Sequence, residues 1–279
     1  MAKSRRRRRS RSRESAKSTS SDALAVAAYR AKPGKIILQK EAVMEGGTIS
    51  DFLIILYGPP KIGKTRLAHY IPGIYFLPTE IGYRWIKARK TPIMNWATFR
   101  KFVKTMEGRP KFCKTVKVWC IDTADNLSKY CMQYVCGREG IAHPTDHDWG
   151  KGWEAYRDEF QTWILRLGML GPGIICICHE TDRDVVSRSF KITKSTPALP
   201  KTTYTILNNM GEIIIRMNYA TSKGRSRKKS LVDVRRVLLM RPTENYDAGD
   251  RTGLLPEKIF FNTEKLAVKK LLSYFDTKE

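Results

Sequence analysis

The sequence predicts an α/β fold, a mostly parallel central sheet flanked by helices and followed by antiparallel strands towards the C-terminus. Three observations carry that expectation. Short, fully apolar runs that read as buried strands alternate with segments whose apolar residues recur at helical spacing. The first of these runs leads into a Gly/Pro-rich loop and then a helix, the order of a βα unit. Beyond Thr181 the helical spacing stops and strand-like stretches follow one another.

Taken in order, residues 1–35 open with "MAKSRRRRRSRSRESAKSTSS", a basic, Ser-rich segment with little to bury. They read as a disordered tail, and residues 36–279 as one domain. "FLIILY" (52–57) is the first buried strand, and a helix starts at Lys64. "IYFLP" (74–78) is the second strand. Asn95 can cap a helix carrying Trp96, Phe99, Phe102, Val103 and Met106 on one face. "VKVWCID" (116–122) is the third strand, followed by a helix bearing Leu127, Tyr130, Cys131, Tyr134 and Val135. Trp153, Tyr156, Phe160, Trp163, Ile164, Leu167 and Leu170 then recur at helical spacing before a fourth strand, "GIICIC" (173–178). "DVVSRSFKI", "EIIIRMNYA" and "DVRRVLLMR" follow as further strands, and a helix with Leu266, Leu271, Leu272 and Phe275 closes the chain.

The formal net charge is +25, from 52 basic and 27 acidic residues. The first 20 residues hold nine Lys or Arg against Glu14, so they account for +8 and leave +17 for the rest. The folded part is basic in its own right, which points to a polyanionic partner, nucleic acid before an anionic membrane surface. No apolar run reaches the roughly 18 to 20 residues of a membrane span, and no apolar segment follows the charged N-terminus as in a secretory signal. Six cysteines without a CxxC pair read as reduced, buried thiols of a cytosolic protein.

Gly58-Pro59-Pro60-Lys61-Ile62-Gly63-Lys64-Thr65 satisfies G-x-x-x-x-G-K-[ST] at every fixed position. Glycines let such a loop wrap so that its N–H groups face a β-phosphate; Lys64 would reach the β/γ oxygens, and the Thr65 hydroxyl would bind Mg²⁺. Arg66, at the start of the helix, completes the expected nucleotide-binding set of residues 58–66. Asp122, ending the third strand, can hold Mg²⁺ through its water shell, or it can simply begin the next helix, a need that Thr123 or Asp125 would meet equally well. Glu80, just past the second strand, and His179 with Glu180, just past the fourth, stand at the edge where ligands bind in such sheets. Five basic residues at Lys223, Arg225, Arg227, Lys228 and Lys229 suit nucleic-acid phosphates, with an exposed hairpin tip as the plain alternative. Trp149, Trp153 and Tyr156 could stack bases, although core packing explains the last two better. His143, Asp146, His147 and Asp148 read as polar loop residues rather than a metal site.

"YGPPKIGKT", "TEIG", "WCIDTADNL", "GKGWEAYRDEF", "ICICHETD" and "DRTGLLP", in that order over residues 50 to 262, resemble phage-encoded RecA-like P-loop proteins. More narrowly, the chain looks like the AAA-type ATPases grouped with phage single-strand annealing and recombination proteins. The resemblance implies a RecA-like core that binds ATP and Mg²⁺. Glu80 matches the catalytic glutamate, Asp122 the Mg²⁺-associated aspartate, and His179 the sensor of the γ-phosphate. Pro78 before Glu80, and His in place of an amide at 179, depart from the pattern. The family also implies homo-oligomers with a basic finger from a neighbouring subunit, for which Arg251, Lys223 or Arg225 are candidates. The expected function is that of an Mg²⁺-dependent, DNA-stimulated ATPase that binds single-stranded DNA in recombination, annealing or replication. It would act in a host-cell cytoplasm, or in a nucleus if the Arg-rich tail directs import. The alternative is a nucleic-acid-coating protein that holds ATP as a structural switch. A small-molecule kinase ranks last, since neither a lid nor a role for the surplus charge is legible.

Overall fold

Each of the first four strands is apolar on both of its faces, so each needs a layer of helices above and below. In the computed structural model, which describes residues 47–146, 150–186, 191–221 and 234–275, that requirement is met by one sheet between two cores. The strands are β1 (Leu53–Tyr57), β2 (Ile74–Pro78), β3 (Val118–Asp122), β4 (Gly173–Cys178), β5 (Glu180–Val186), β6 (Lys191–Pro197), β7 (Ile213–Thr221), β8 (Val234–Leu239), β9 (Gly249–Asp250) and β10 (Lys258–Phe261). The helices are α1 (Lys64–His69), α2 (Trp96–Glu107), α3 (Pro110–Cys113), α4 (Ala124–Glu139), α5 (Lys151–Gly168), α6 (Lys201–Met210) and α7 (Glu264–Leu272).

The main sheet runs β10-β8-β7-β1-β4-β3-β2, with β9 paired to β7. β2, β3, β4, β1 and β7 are mutually parallel, whereas β8, β9 and β10 join antiparallel. This is the expected fold class, a mostly parallel sheet flanked by helices with antiparallel C-terminal strands. β5 and β6 form a separate hairpin. The stretch "DVVSRSFKI" is therefore divided between two strands, and its residues 187–190 lie outside the described ones.

Period-2 alternation decides which residue enters which core. Leu53, Ile55 and Tyr57 of β1 face a core with Trp119, Ile121, Cys176 and Cys178, covered by α2, α4, α5 and α6. Ile54 and Leu56 face the opposite core with Val118, Cys120, Ile175 and Ile177, covered by α1 and α7. Trp96 stacks on Phe160 at 5.7 Å between ring centres, which locks α2 against α5. Asn95 caps α2 as expected, its side chain accepting from the Thr98 N–H at 2.8 Å. All six cysteines are buried and free.

The edge strand β2 ends at Pro78, where a missing N–H is tolerated. Its outer side is covered by residues 89–93: the Phe76 N–H donates to the Arg89 carbonyl at 2.9 Å, and Ile93 N–H to the Pro78 carbonyl at 2.7 Å. No helix among the described residues is long and apolar enough to cross a membrane. The expected tail, and the boundary at residues 35 and 36, lie outside the described residues, as do 222–233.

Candidate functional site

Because β1, β2, β3 and β4 run parallel, whatever follows each of them emerges at one edge of the sheet. That edge holds an open cleft of about 820 Å³ lined by residues 60–66, Glu80, Asp122, Thr123, His179, Arg236 and Glu264. The volume suits a drug-sized or nucleotide-sized ligand, for which sites of about 300–1,000 Å³ are typical. Gly58 to Thr65, Glu80, Asp122 and His179, scattered through 122 positions of sequence, are thus brought to one place.

The loop's glycines are required by its neighbours. A Cβ on Gly58 would lie 2.1 Å from the Met217 carbonyl oxygen of β7. Gly63 has φ +108°, and a Cβ there would approach Glu264 Oε1 at 2.9 Å and Arg236 Nη1 at 3.0 Å. Pro59, Pro60, Lys61 and Ile62 complete the turn, and Ile62 is buried in the core beneath it. Lys64, only 7% exposed, donates through Nζ to the carbonyls of Gly58 at 2.7 Å and Pro59 at 2.9 Å. Burial pushes its ammonium below the usual lysine value, with the nearby Asp122 carboxylate opposing.

Asp122 is buried at the end of β3, and its Oδ2 accepts from the Thr65 hydroxyl at 2.6 Å and from the Tyr83 hydroxyl. Burial raises its pKa above the ordinary carboxylate value; hydrogen bonds from Thr65 and Tyr83 lower it, while the charge of Glu80 raises it further. A desolvated carboxylate beside a second carboxylate and a hydroxyl is a set of hard oxygen donors, and it fits Mg²⁺. Glu80 Oε1 accepts from Asn126 Nδ2 at 2.8 Å and from Thr123 Oγ1 at 3.2 Å. Thr123 is the residue preceding α4, but its hydroxyl serves Glu80 and makes no cap bond to the helix. His179 Nδ1 lies 2.8 Å from Asp125 Oδ2, whose other oxygen is buried without a partner, so the imidazole is held by one nitrogen.

Arg251 lies elsewhere. It follows β9, which pairs with the first residues of β7 at the far edge of the sheet. Its guanidinium donates to the carbonyls of Asn208 and Asn209 at 3.1 Å each, in the last turn of α6. Lys223, Arg225, Arg227, Lys228 and Lys229 lie outside the described residues, as do His147, Asp148 and Trp149. Trp153 and Tyr156 pack in the core covered by α2, α4, α5 and α6, the latter buried and bonded to Ser128. Among the described residues, no three His, Cys, Asp or Glu side chains converge as a metal cluster.

Sequence reasoning missed several residues here. Asp125 and Asn126 were findable, since they occupy the helix turn right after Asp122 and so face the same edge. Tyr83, Arg236 and Glu264 had no local signal. Arg236 of β8 donates to the Ile62 carbonyl at 3.2 Å and to Glu264 Oε1 at 2.7 Å, clamping the loop from beyond its C-terminal side.

Residues 51–252 match the family model described as an AAA domain. Among solved structures, the flagellar accessory protein FlaH from Methanocaldococcus jannaschii is similar at 18% identity over 78% of this chain and 87% of that one, with a TM-score of 0.42. No curated protein matches this chain.

Proposed function

The chain belongs to the AAA domain family and carries a P-loop NTPase fold, and on that premise we propose that it is an Mg²⁺-dependent ATPase that binds single-stranded DNA as a homo-oligomer, in recombination, annealing or replication. The observation that carries this reading is the meeting of Lys64, Thr65, Asp122, Glu80 and His179 around one cleft. The N–H groups of residues 61–65 and the Lys64 ammonium bind phosphate oxygens. Thr65 and Asp122 would hold an Mg²⁺ ion, which would neutralise phosphate charge. Glu80, fixed by Asn126 and Thr123, accepts a proton from the attacking water. His179, oriented through Asp125, senses the terminal phosphate with its other nitrogen, which donates there when the ring carries a proton on both nitrogens. Nucleic acid as the partner is supported by the charge of +25.

The test is ATP turnover with and without single-stranded DNA for wild type, Lys64→Ala and Glu80→Gln. Turnover that DNA stimulates and both changes abolish is the expected result; about 10²-fold or more should be lost in Glu80→Gln. Tight ATP binding without turnover in the wild type would refute the ATPase reading and leave ATP as a structural switch.

A further inference from the structure

Between β2 and β3 the chain makes a long crossover along the outer edge of the sheet. Residues 84–117 contain eleven Lys or Arg and a single carboxylate, Glu107. Nine of the eleven are exposed: Arg84, Lys87, Arg89, Lys101, Lys104, Arg109, Lys111, Lys114 and Lys117. We infer that this crossover is a docking surface for the phosphate backbone of a nucleic-acid strand, an inference that rests on the nucleic-acid reading proposed above and names where the strand lies.

The placement follows from the fold. Residues 89–93 pair along β2 up to Pro78, at the nucleotide edge, and Lys117 bonds through its N–H to the Gly73 carbonyl at 2.9 Å, at the opposite end of β2. From Arg89, bonded to Phe76, to Lys117, bonded to Gly73, the backbone of these basic residues spans three residues of β2, about 10 Å, over which one strand of a duplex presents about three phosphates.

Local carboxylates neutralise little of this charge. Arg100 pairs with Glu159 from α5 at 3.5 Å, and Glu107 is itself taken by Arg166 of α5 at 2.7 Å. Arg89 is occupied by the Thr115 carbonyl and hydroxyl, and Lys104 lies over the Trp163 ring. Arg84, Lys87, Lys101, Arg109, Lys111, Lys114 and Lys117 have no carboxylate partner among the described residues.

An anionic membrane is the competing polyanion. A membrane-bound helix needs an apolar face to insert, and the apolar face of α2, Trp96, Phe99, Phe102, Val103 and Met106, is buried in the core. The crossover also reaches the site itself. Tyr83, one residue before its first cation, places its hydroxyl on Asp122, and Ile81 beside Glu80 is 87% exposed.

The experiment measures binding of a fluorescent 20-nucleotide single strand to the full chain across a salt series. It compares wild type with the fourfold variant Lys101→Gln, Arg109→Gln, Lys111→Gln, Lys114→Gln, whose four side chains are exposed and remote from the cleft. If the surface binds, affinity near 0.15 M salt falls about tenfold or more, and the slope of log K against log salt shrinks by about 1.4 to 2.8, two to four contacts' worth. An unchanged melting temperature and unchanged DNA-free ATP turnover verify that the variant is folded. A smaller change in slope, with wild type binding well, overturns this surface while the nucleic-acid reading stands. No binding by wild type even at low salt sinks both. If the variant instead loses binding to phosphatidylserine vesicles and keeps its hold on the oligonucleotide, the surface is a membrane contact and the inference is wrong.

Discussion

Replacing Lys64 by alanine is expected to abolish the stabilisation conferred by Mg²⁺ and ATP while leaving the nucleotide-free protein close to wild type. In the free protein the change removes two hydrogen bonds, to the Gly58 and Pro59 carbonyls, and it also relieves the burial of an ammonium. Those effects oppose each other, and the net change should stay within about 1 kcal/mol. With ATP at 100 times its Kd, wild type gains about 2.7 kcal/mol. At about 2–4 °C per kcal/mol for a chain of this size, that is a rise of about 5–11 °C in Tm. Loss of the buried charge from the phosphate site costs about 3 kcal/mol of binding. Kd then rises about 150-fold, and at the same ATP concentration less than about 0.5 kcal/mol of stabilisation remains, about 1–2 °C. Thermal unfolding with and without nucleotide, beside the exposed-residue control Lys129→Ala, measures this directly. A Lys64→Ala protein that keeps half or more of the wild-type shift would refute the phosphate-binding role.

Further predictions concern the same edge and the core beneath it. Burial raises the pKa of Asp122 in the fold, so its contribution to stability is complete below the ordinary value of 3.8 and is lost as pH rises through the raised one. Asp122→Asn should therefore make the nucleotide-free protein more stable than wild type at neutral pH, by about 1–2 kcal/mol, while abolishing the Mg²⁺ dependence of nucleotide binding; a lower Tm at pH 7 would contradict that sign. Gly58→Ala drives a Cβ against the Met217 carbonyl and should cost about 3 kcal/mol in urea unfolding, together with nucleotide binding. Gly137→Ala, inside α4 with nothing within 4 Å of the new methyl, should stabilise by about 0.5–1 kcal/mol in the same assay. Phe160→Ala, which empties the contact with Trp96 and Tyr156, should cost about 3–5 kcal/mol by urea unfolding.

Much of the fold was legible because its signals are local. "IYFLP" and "GIICIC" are strands with the expected limits, since a run buried on both faces must be apolar throughout and stops where polarity returns. Asn95 was identifiable as a cap because capping is decided within three residues. The hairpin of β5 and β6 was harder, because "DVVSRSFKI" holds neither glycine nor proline to divide it into two strands. In the cleft, Lys64, Thr65, Glu80, Asp122 and His179 could be named from a motif and from their places after strands. Their supporting residues divide by distance: Asp125 and Asn126 follow Asp122 closely in sequence, whereas Arg236 and Glu264 come from elements beyond residue 230.

By itself, then, the sequence determined an α/β chain with a phosphate loop, a basic character and the strand ends at which polar residues gather, because periodicity, turn chemistry and charge are properties of neighbouring residues. Only the tertiary structure decided that β4 lies between β1 and β3, which sets His179 and Asp122 side by side near the loop. It alone showed that Arg251 secures the last turn of α6 at the far edge. It also left Arg84, Lys87, Lys101, Arg109, Lys111, Lys114 and Lys117 of the β2–β3 crossover without a carboxylate partner among the described residues. Strand order and the pairing of distant charges depend on how separate segments meet in space, and no local pattern in the chain encodes them.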